Sequence, residues 1–242
     1  MTAAARVDIR HDLLNAQVRA WMRLGETGVW WSGADRVAIA AETRAAAACG
    51  LCATRKAALS PAAIAGAHET AGGLPDAAVE AVHRIATDSG RLSEGWYRAV
   101  RAAGLEEGAY VELVSVVAIT TAVDTFRRAL GLSPLPLPAP EDGAPSGRRP
   151  AGARDGLAWV ATVAPEDRGA DDPDLYRNRI GGNVHRALSL VPEAMIDFWD
   201  MFETMYLDNP AMRDFGREFR AITHPQIEML AARVAALNRC VY

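Results

Sequence analysis

Apolar residues recur at helical spacing along most of this chain, and the strict alternation that is typical of half-buried strands is almost absent. The first such stretch places one set of apolar side chains on a single helix face: Leu13, Leu14, Val18, Trp21 and Met22. Alanine, the strongest helix former, is abundant, and β-branched residues are scattered. The pattern predicts an all-α fold.

Caps and helix breakers set the expected helix bounds. Ser32 with Asp35 three residues later predicts a helix start, and Thr223 to Gln226 forms a capping box with proline in the first turn. Gly131 suits the position after a helix end. The predicted helices cover approximately residues 11–23, 33–48, 49–58, 75–87, 92–103, 106–130, 183–189, 192–206, 211–219 and 223–238.

The composition changes between the helical stretches. Six of the 13 prolines lie between Ser133 and Gly156, together with glycine and charged residues. This composition is typical of an extended linker. We therefore expect a helical unit over residues 1–132, a Pro/Gly-rich linker over 133–158 and a second helical unit over 159–242.

Charge and hydropathy exclude several classes of protein. The net charge is −4, with 30 acidic and 26 basic residues mixed along the chain, which argues against a nucleic-acid groove or a polybasic membrane patch. Met1 to Asp12 contains no apolar segment typical of a signal peptide, and the apolar run Leu113 to Val123 is too short to span a bilayer. Three cysteines do not make a disulfide framework. We expect a cytoplasmic globular protein.

Cys49 and Cys52 form a C-x-x-C motif at the start of a predicted helix. The two sulfurs of such a motif can form a disulfide, and the unpaired N–H groups of the first helical turn stabilise a thiolate. In a reducing compartment this pattern favours a catalytic or metal-binding role. The alternative interpretation is a pair of inert buried cysteines.

Zinc binding is the weaker of the two functional interpretations. It needs two more ligands, and the sequence offers only Cys240 and five scattered histidines (His11, His68, His83, His185 and His224), without a second paired motif. We therefore predict no metal and no cofactor. Lys56, four residues after Cys52, is a possible auxiliary cation that lowers the pKa of Cys52, or else an ordinary solvated lysine.

A second cap–helix–cysteine arrangement occurs near the end of the sequence. The spacing from Thr223 to Cys240 equals the spacing from Ser32 to Cys49, which suggests an internal repeat, although two unrelated Ala-rich helices give the same pattern. Glu228 lies between Thr223 and Cys240 among apolar neighbours, where a carboxylate can act as a proton relay. A solvent-facing glutamate is the alternative.

This pattern resembles the alkylhydroperoxidase D-like (carboxymuconolactone decarboxylase-like) family. The family motif places a Glu on the helix that precedes a Cys, which is followed by x-x-Cys and then x-x-x-His. Glu228 and Cys240 match the Glu and the first Cys at the family spacing, and Cys49 and Cys52 match both cysteines. Two stretches also resemble family helices, namely Thr223 to Asn238 and Tyr110 to Ala118.

The resemblance implies two helical units, a homodimer or homotrimer, and peroxidase chemistry. Cys52 would attack a hydroperoxide, Cys49 would resolve the sulfenic acid, Glu and His would relay protons, and an external dithiol would reduce the disulfide. The first unit departs from the motif, because Val37 stands at the Glu position and Lys56 at the His position. The second unit has Glu228 and Cys240 but no second Cys.

The second motif leads to a further hypothesis, that position 243 is a selenocysteine encoded by UGA. A selenol there would be ionised at neutral pH and would attack peroxide faster than a thiol. The identity of codon 243 tests it, since a UAA or UAG codon, or a UGA codon that no x-x-x-His follows, contradicts it.

Three functions remain open from the sequence. The first is a thiol- or selenol-dependent peroxidase, whose partners are a hydroperoxide and a dithiol, with no nucleic acid and no membrane. The second is a non-catalytic helical oligomer. The third is a cofactor-free lyase of the decarboxylase branch, which Cys49 and Cys52 disfavour because that branch does not use a C-x-x-C motif.

Overall fold

The computed structural model describes residues 8–177, 181–238 and 240. The first seven residues, on which the expectation about a signal peptide partly rests, lie outside this range. The described residues are mostly helical, which confirms the all-α class. The helices are α1 (His11–Arg23), α2 (Gly33–Ala46), α3 (Gly50–Ala57), α4 (Asp76–Asp88), α5 (Glu94–Ala102), α6 (Glu107–Ala129), α7 (Asn183–Arg186), α8 (Pro192–Met205), α9 (Asn209–Arg213) and α10 (His224–Leu237).

Helix α6 is the centre of the fold. It packs against α1, α2, α4 and α8. Its fully buried side chains include Leu113, Ile119 and Val123. By length and composition α6 could cross a membrane, but most of its apolar stretch is buried inside the fold, as in the core helix of a soluble protein.

Local signals placed most helices correctly. Helix α1 has the predicted bounds, and the Ser32–Asp35 and Thr223–Gln226 capping boxes form at the starts of α2 and α10. Gly131 adopts a left-handed φ of 67° after α6, and the N–H of Leu132 bonds the carbonyl of Arg127. This geometry closes the end of α6.

One helix predicted in the second half was wrong. The helix expected over 211–219 begins earlier, at Asn209, and ends at Arg213. Beyond it the Asp214 carboxylate accepts from the N–H of Gly216, a local bond that competes with helix continuation. A small hairpin, β1 (Ala153–Arg154) with β2 (Thr162–Val163), also joins the end of the predicted linker to the residues after it.

The proline-rich segment has no helix or strand before β1, and it is held against α1 and the loop between α1 and α2. The Trp21 indole N–H donates to the carbonyl of Pro136 at 2.7 Å, and the N–H of Glu141 donates to the carbonyl of Gly25 at 2.7 Å. A Cβ atom on Gly25 would lie 2.3 Å from the Ala139 carbonyl oxygen. Glycine is therefore required for this close approach.

The two predicted helical units share one core. Helix α8, from the second unit, packs against α1 and α6 of the first, and its buried Met195 and Met201 belong to the same hydrophobic cluster as Leu113. Helices α2 and α10 have the same length but lie in different environments. Helix α2 packs between α4 and α6, whereas α10 exposes a row of apolar side chains: Met229, Leu230, Val234 and Leu237.

We predict that Gly25→Ala displaces the proline-rich segment. The added methyl group meets backbone rather than a flexible side chain, so we expect a loss of about 1–3 kcal/mol in the free energy of unfolding. Trypsin should also cleave faster at Arg148, which follows the bond from the N–H of Gly147 to the carbonyl of Val29.

Gly95→Ala is the matched control, because Gly95 lies in α5 and its nearest neighbouring atom would be 3.9 Å from the new Cβ. Alanine there should be neutral or stabilising by about 0.5–1 kcal/mol. Equal cleavage rates in the two variants would contradict the attachment of the segment.

Candidate functional site

The two cysteines of the C-x-x-C motif lie at the start of α3. Cys49 is the N-cap residue and Cys52 lies in the first turn. Both are buried, with 2% and 4% of their surface exposed. At the other end of α3, the Arg91 guanidinium donates to the carbonyls of Ala58 and Lys56, which satisfies the helix terminus and fixes its position.

His68 reaches the sulfurs from the loop of residues 64–75, which connects α3 to α4. Its Nδ1 lies 3.6 Å from Cys49 Sγ and 3.5 Å from Cys52 Sγ. Its Nε2 lies 2.8 Å from the Glu80 carboxylate on α4. This carboxylate fixes the ring orientation, so that Nδ1 faces the sulfurs.

His83 reaches Cys52 from α4. Its Nδ1 lies 3.2 Å from Cys52 Sγ, and its Nε2 lies 2.6 Å from an oxygen of Glu42 on α2. The side chains of His83 and Glu42 are both fully buried. The other Glu42 oxygen accepts from Thr70 Oγ1 and from the N–H of Ala71, each at 2.8 Å. The three hydrogen bonds that Glu42 accepts therefore all come from His83 or from the loop that carries His68.

Glu80 is tied into the site by three donors. Besides His68, its carboxylate accepts from the Arg55 guanidinium at 2.8 Å and from the Trp96 indole N–H at 2.9 Å. Burial opposes ionisation, but these bonds outweigh it and lower the pKa of Glu80 to about 2. Burial likewise opposes protonation of His68, but Glu80 and Cys49 outweigh it and raise the pKa of His68.

The two thiols differ in acidity. Burial opposes ionisation of Cys49, but the neighbouring backbone N–H of Cys52 and the His68 ring stabilise the thiolate and lower its pKa to about 6. Burial, with a smaller contribution from the Cys49 sulfur, raises the pKa of Cys52 to about 11. Near neutral pH these pKa values predict a thiolate on Cys49 and a protonated thiol on Cys52.

The site gathers four atoms that can bind a metal. The two sulfurs and the two Nδ1 atoms all lie within 4.8 Å of one another, and the two imidazole rings are 4.1 Å apart between centroids. Both histidines were available in the sequence, but they follow Cys52 by 16 and 31 residues, without motif spacing. The fold therefore places beside the two sulfurs two imidazoles that the sequence spacing does not connect with them.

Lys56 does not contribute to this site. It is exposed on α3, and the pKa of Cys52 is raised rather than lowered. The cation on the site side of α3 is Arg55, which bonds Glu80 and also the carbonyl of Ile64 at 3.0 Å. Lys56 therefore corresponds to the solvated alternative.

The carboxylate and the imidazole nearest Cys52 come from positions that the resemblance does not indicate. The resemblance directed attention to Val37 and Lys56, whereas the carboxylate and imidazole on Cys52 belong to Glu42 and His83. A signal was present, because Glu42 lies about two helical turns before Cys49, within a run of small apolar residues.

Glu228 and Cys240 are not brought into this site. The Glu228 side chain is 52% exposed, accepts from the Tyr206 hydroxyl at 2.6 Å and lies 3.6 Å from His224. Cys240 is exposed and lies beyond the end of α10. Glu228 therefore corresponds to the solvent-facing alternative.

Comparison with protein-family models, with curated proteins and with solved structures gives no match. The interpretation of the site therefore depends on its geometry.

Proposed function

We propose that this protein is a thiol-dependent oxidoreductase that reduces hydroperoxides with Cys49 and Cys52. The observation that carries the proposal is that each sulfur contacts an imidazole whose second nitrogen bonds a buried or half-buried carboxylate. A thiol, a base and a group that orients the base form the arrangement that activates nucleophiles. Here the arrangement is present twice, around two sulfurs within 4.8 Å of each other.

Cys49 is the better candidate for the attacking thiol, which reverses the order that the resemblance implied. Its sulfur lies at the N-terminus of α3, where the neighbouring backbone N–H of Cys52 and the His68 ring lower its pKa to about 6. In the first step the Cys49 thiolate attacks one peroxide oxygen, and the O–O bond breaks. The leaving alkoxide takes a proton from His68, and Cys49 becomes a sulfenic acid.

Cys52 is the resolving thiol in this scheme. Its proton passes to Nδ1 of His83, and Glu42 stabilises the resulting imidazolium through Nε2. The Cys52 sulfur then attacks the Cys49 sulfur, hydroxide leaves and takes a proton to become water, and a disulfide forms. Overall one hydroperoxide and two thiols give an alcohol, water and a disulfide, which an external dithiol must reduce.

Burial of the two sulfurs restricts the substrate. Only 2% and 4% of the two cysteines is exposed, and the loop of residues 64–75 lies beside them. A small hydroperoxide, such as hydrogen peroxide or a short alkyl hydroperoxide, fits this setting better than a bulky one.

We predict that the two cysteine variants fail at different steps. Cys49→Ser should abolish peroxide consumption with a dithiol reductant. Cys52→Ser should still form one sulfenic acid per chain, detectable by a sulfenic-acid-specific reagent, but should lose disulfide formation and turnover.

Full turnover in Cys52→Ser would remove Cys52 from the mechanism. Turnover that survives both variants but is lost in Cys240→Ser would place the chemistry near α10 instead. Ala48→Ser, an exposed substitution next to the motif, is the control for the effect of an added hydroxyl on folding.

We also predict that one thiolate forms at low pH in the reduced, metal-free protein. Because the pKa of Cys49 is about 6, the thiolate ultraviolet absorbance should rise as pH increases through that value. An ordinary cysteine ionises near about 8.5. The transition should vanish in Cys49→Ser and persist in Cys52→Ser, and persistence in Cys49→Ser would assign it to another group.

A further inference from the structure

We propose that Cys49, Cys52, His68 and His83 bind one zinc ion in the reduced protein. Among the residues that the structure describes, these form the one group of three or more histidine, cysteine or acidic side chains with metal-binding geometry. Two sulfurs and two imidazole nitrogens are a ligand set that tetrahedral zinc sites use.

The distances between donor atoms match a tetrahedral zinc ion. Zinc–sulfur bonds of about 2.3 Å and zinc–nitrogen bonds of about 2.0–2.1 Å place a sulfur and a nitrogen roughly 3.6 Å apart. The observed separations from sulfur to Nδ1 are 3.6 Å for Cys49–His68, 3.5 Å for Cys52–His68 and 3.2 Å for Cys52–His83. These three separations lie within a few tenths of an ångström of the tetrahedral value, and the other three donor pairs lie within 4.8 Å of each other.

The outer contacts orient both imidazoles for metal binding. In each ring Nε2 bonds a carboxylate, Glu80 for His68 and Glu42 for His83, and Nδ1 faces the sulfurs. A proton on Nε2 leaves the lone pair of Nδ1 directed at the metal position. Carboxylates in this role raise the basicity of the ligand and fix its tautomer.

The charges favour a divalent ion. Two thiolates neutralise Zn²⁺, so the metal with its four ligands has no net charge, which suits a buried position. Both sulfurs bind a metal as thiolates, so metal binding releases the proton of any cysteine that is still protonated. Of the two outer carboxylates, Glu80 is paired with the Arg55 guanidinium at 2.8 Å.

The site would join three parts of the chain. The ligands come from the start of α3, the loop of residues 64–75 and α4, and three of them, Cys49, Cys52 and His83, are buried. With four protein ligands the site is closed, as in structural zinc sites. Bound zinc would therefore hold the loop against the two helices.

A consequence for redox regulation rests additionally on the proposed function. Zinc and a disulfide need the same two sulfurs, so they exclude each other. When a hydroperoxide takes two electrons from the thiolates and, with two protons, becomes an alcohol and water, the disulfide forms and Zn²⁺ leaves.

The test uses the full chain, reduced and stripped of metal with a chelator, without peroxide. Titration with Co²⁺ should give one ion per chain, with the intense absorption of tetrahedral cobalt and thiolate-to-cobalt charge transfer. Zn²⁺ should displace the cobalt stoichiometrically. X-ray absorption of the zinc form should give two sulfur and two nitrogen neighbours, a result that does not depend on any variant folding.

Variants then identify the ligands. Glu42→Gln removes an outer contact and should weaken zinc binding roughly 10–100-fold. His68→Asn removes a ligand and should weaken zinc binding by more than Glu42→Gln does. His11→Asn, an exposed histidine on α1, is the matched control and should bind zinc unchanged.

Absence of stoichiometric metal binding, or a cobalt spectrum unaltered in Cys49→Ser and His68→Asn, would overturn the zinc site. A chain that binds zinc but consumes no peroxide would uphold the metal site and overturn the oxidoreductase proposal. A chain that consumes peroxide but binds no zinc would uphold the oxidoreductase proposal and overturn the metal site.

Discussion

The arrangement of the site depends on one buried hydrogen bond, between Glu42 on α2 and His83 on α4. The two atoms are 2.6 Å apart, and neither side chain is exposed. An ionised carboxylate without partners in such a position would cost several kcal/mol, on the order of the effective penalty for burying an ion. Glu42 avoids this cost through three donors from two different segments, one of which is the His83 ring.

This bond sets the position of everything nearer the sulfurs. It orients His83 so that Nδ1 contacts Cys52, and the second oxygen of Glu42 holds Thr70 and Ala71 of the loop that carries His68. The two helices that carry Glu42 and His83 are themselves held in place by α6, which packs against both. Core packing therefore positions the helices, and a small set of polar bonds within that core positions the reactive atoms.

Local patterns in the sequence were enough to predict the all-α class, most helix positions and the extended proline-rich segment, because each depends on neighbouring residues. The capping boxes of Ser32 and Thr223 are examples. The partners of the cysteines could not be predicted in this way. His68 and His83 reach Cys52 only through the turn of the chain between α3 and α4, and the spacing motif directed attention to Val37 and Lys56 instead. The sequence similarity between α2 and α10 likewise says nothing about burial, which depends on what packs against each helix.

Of the four side chains Cys49, Cys52, His68 and His83, only His68 lies on a loop. Cys49, Cys52 and His83 belong to helix caps or helices, whereas His68 belongs to a loop that side chains hold in place: Glu42, Arg55, Glu69 and His68 itself. Withdrawal of this loop would remove one nitrogen and leave two sulfurs and one nitrogen facing an open coordination position. Three protein ligands with a vacant fourth position are the arrangement of zinc sites that bind water or substrate. In the proposed zinc site, the position of this one loop would therefore decide whether the fourth coordination position is filled by the protein or open to a small molecule.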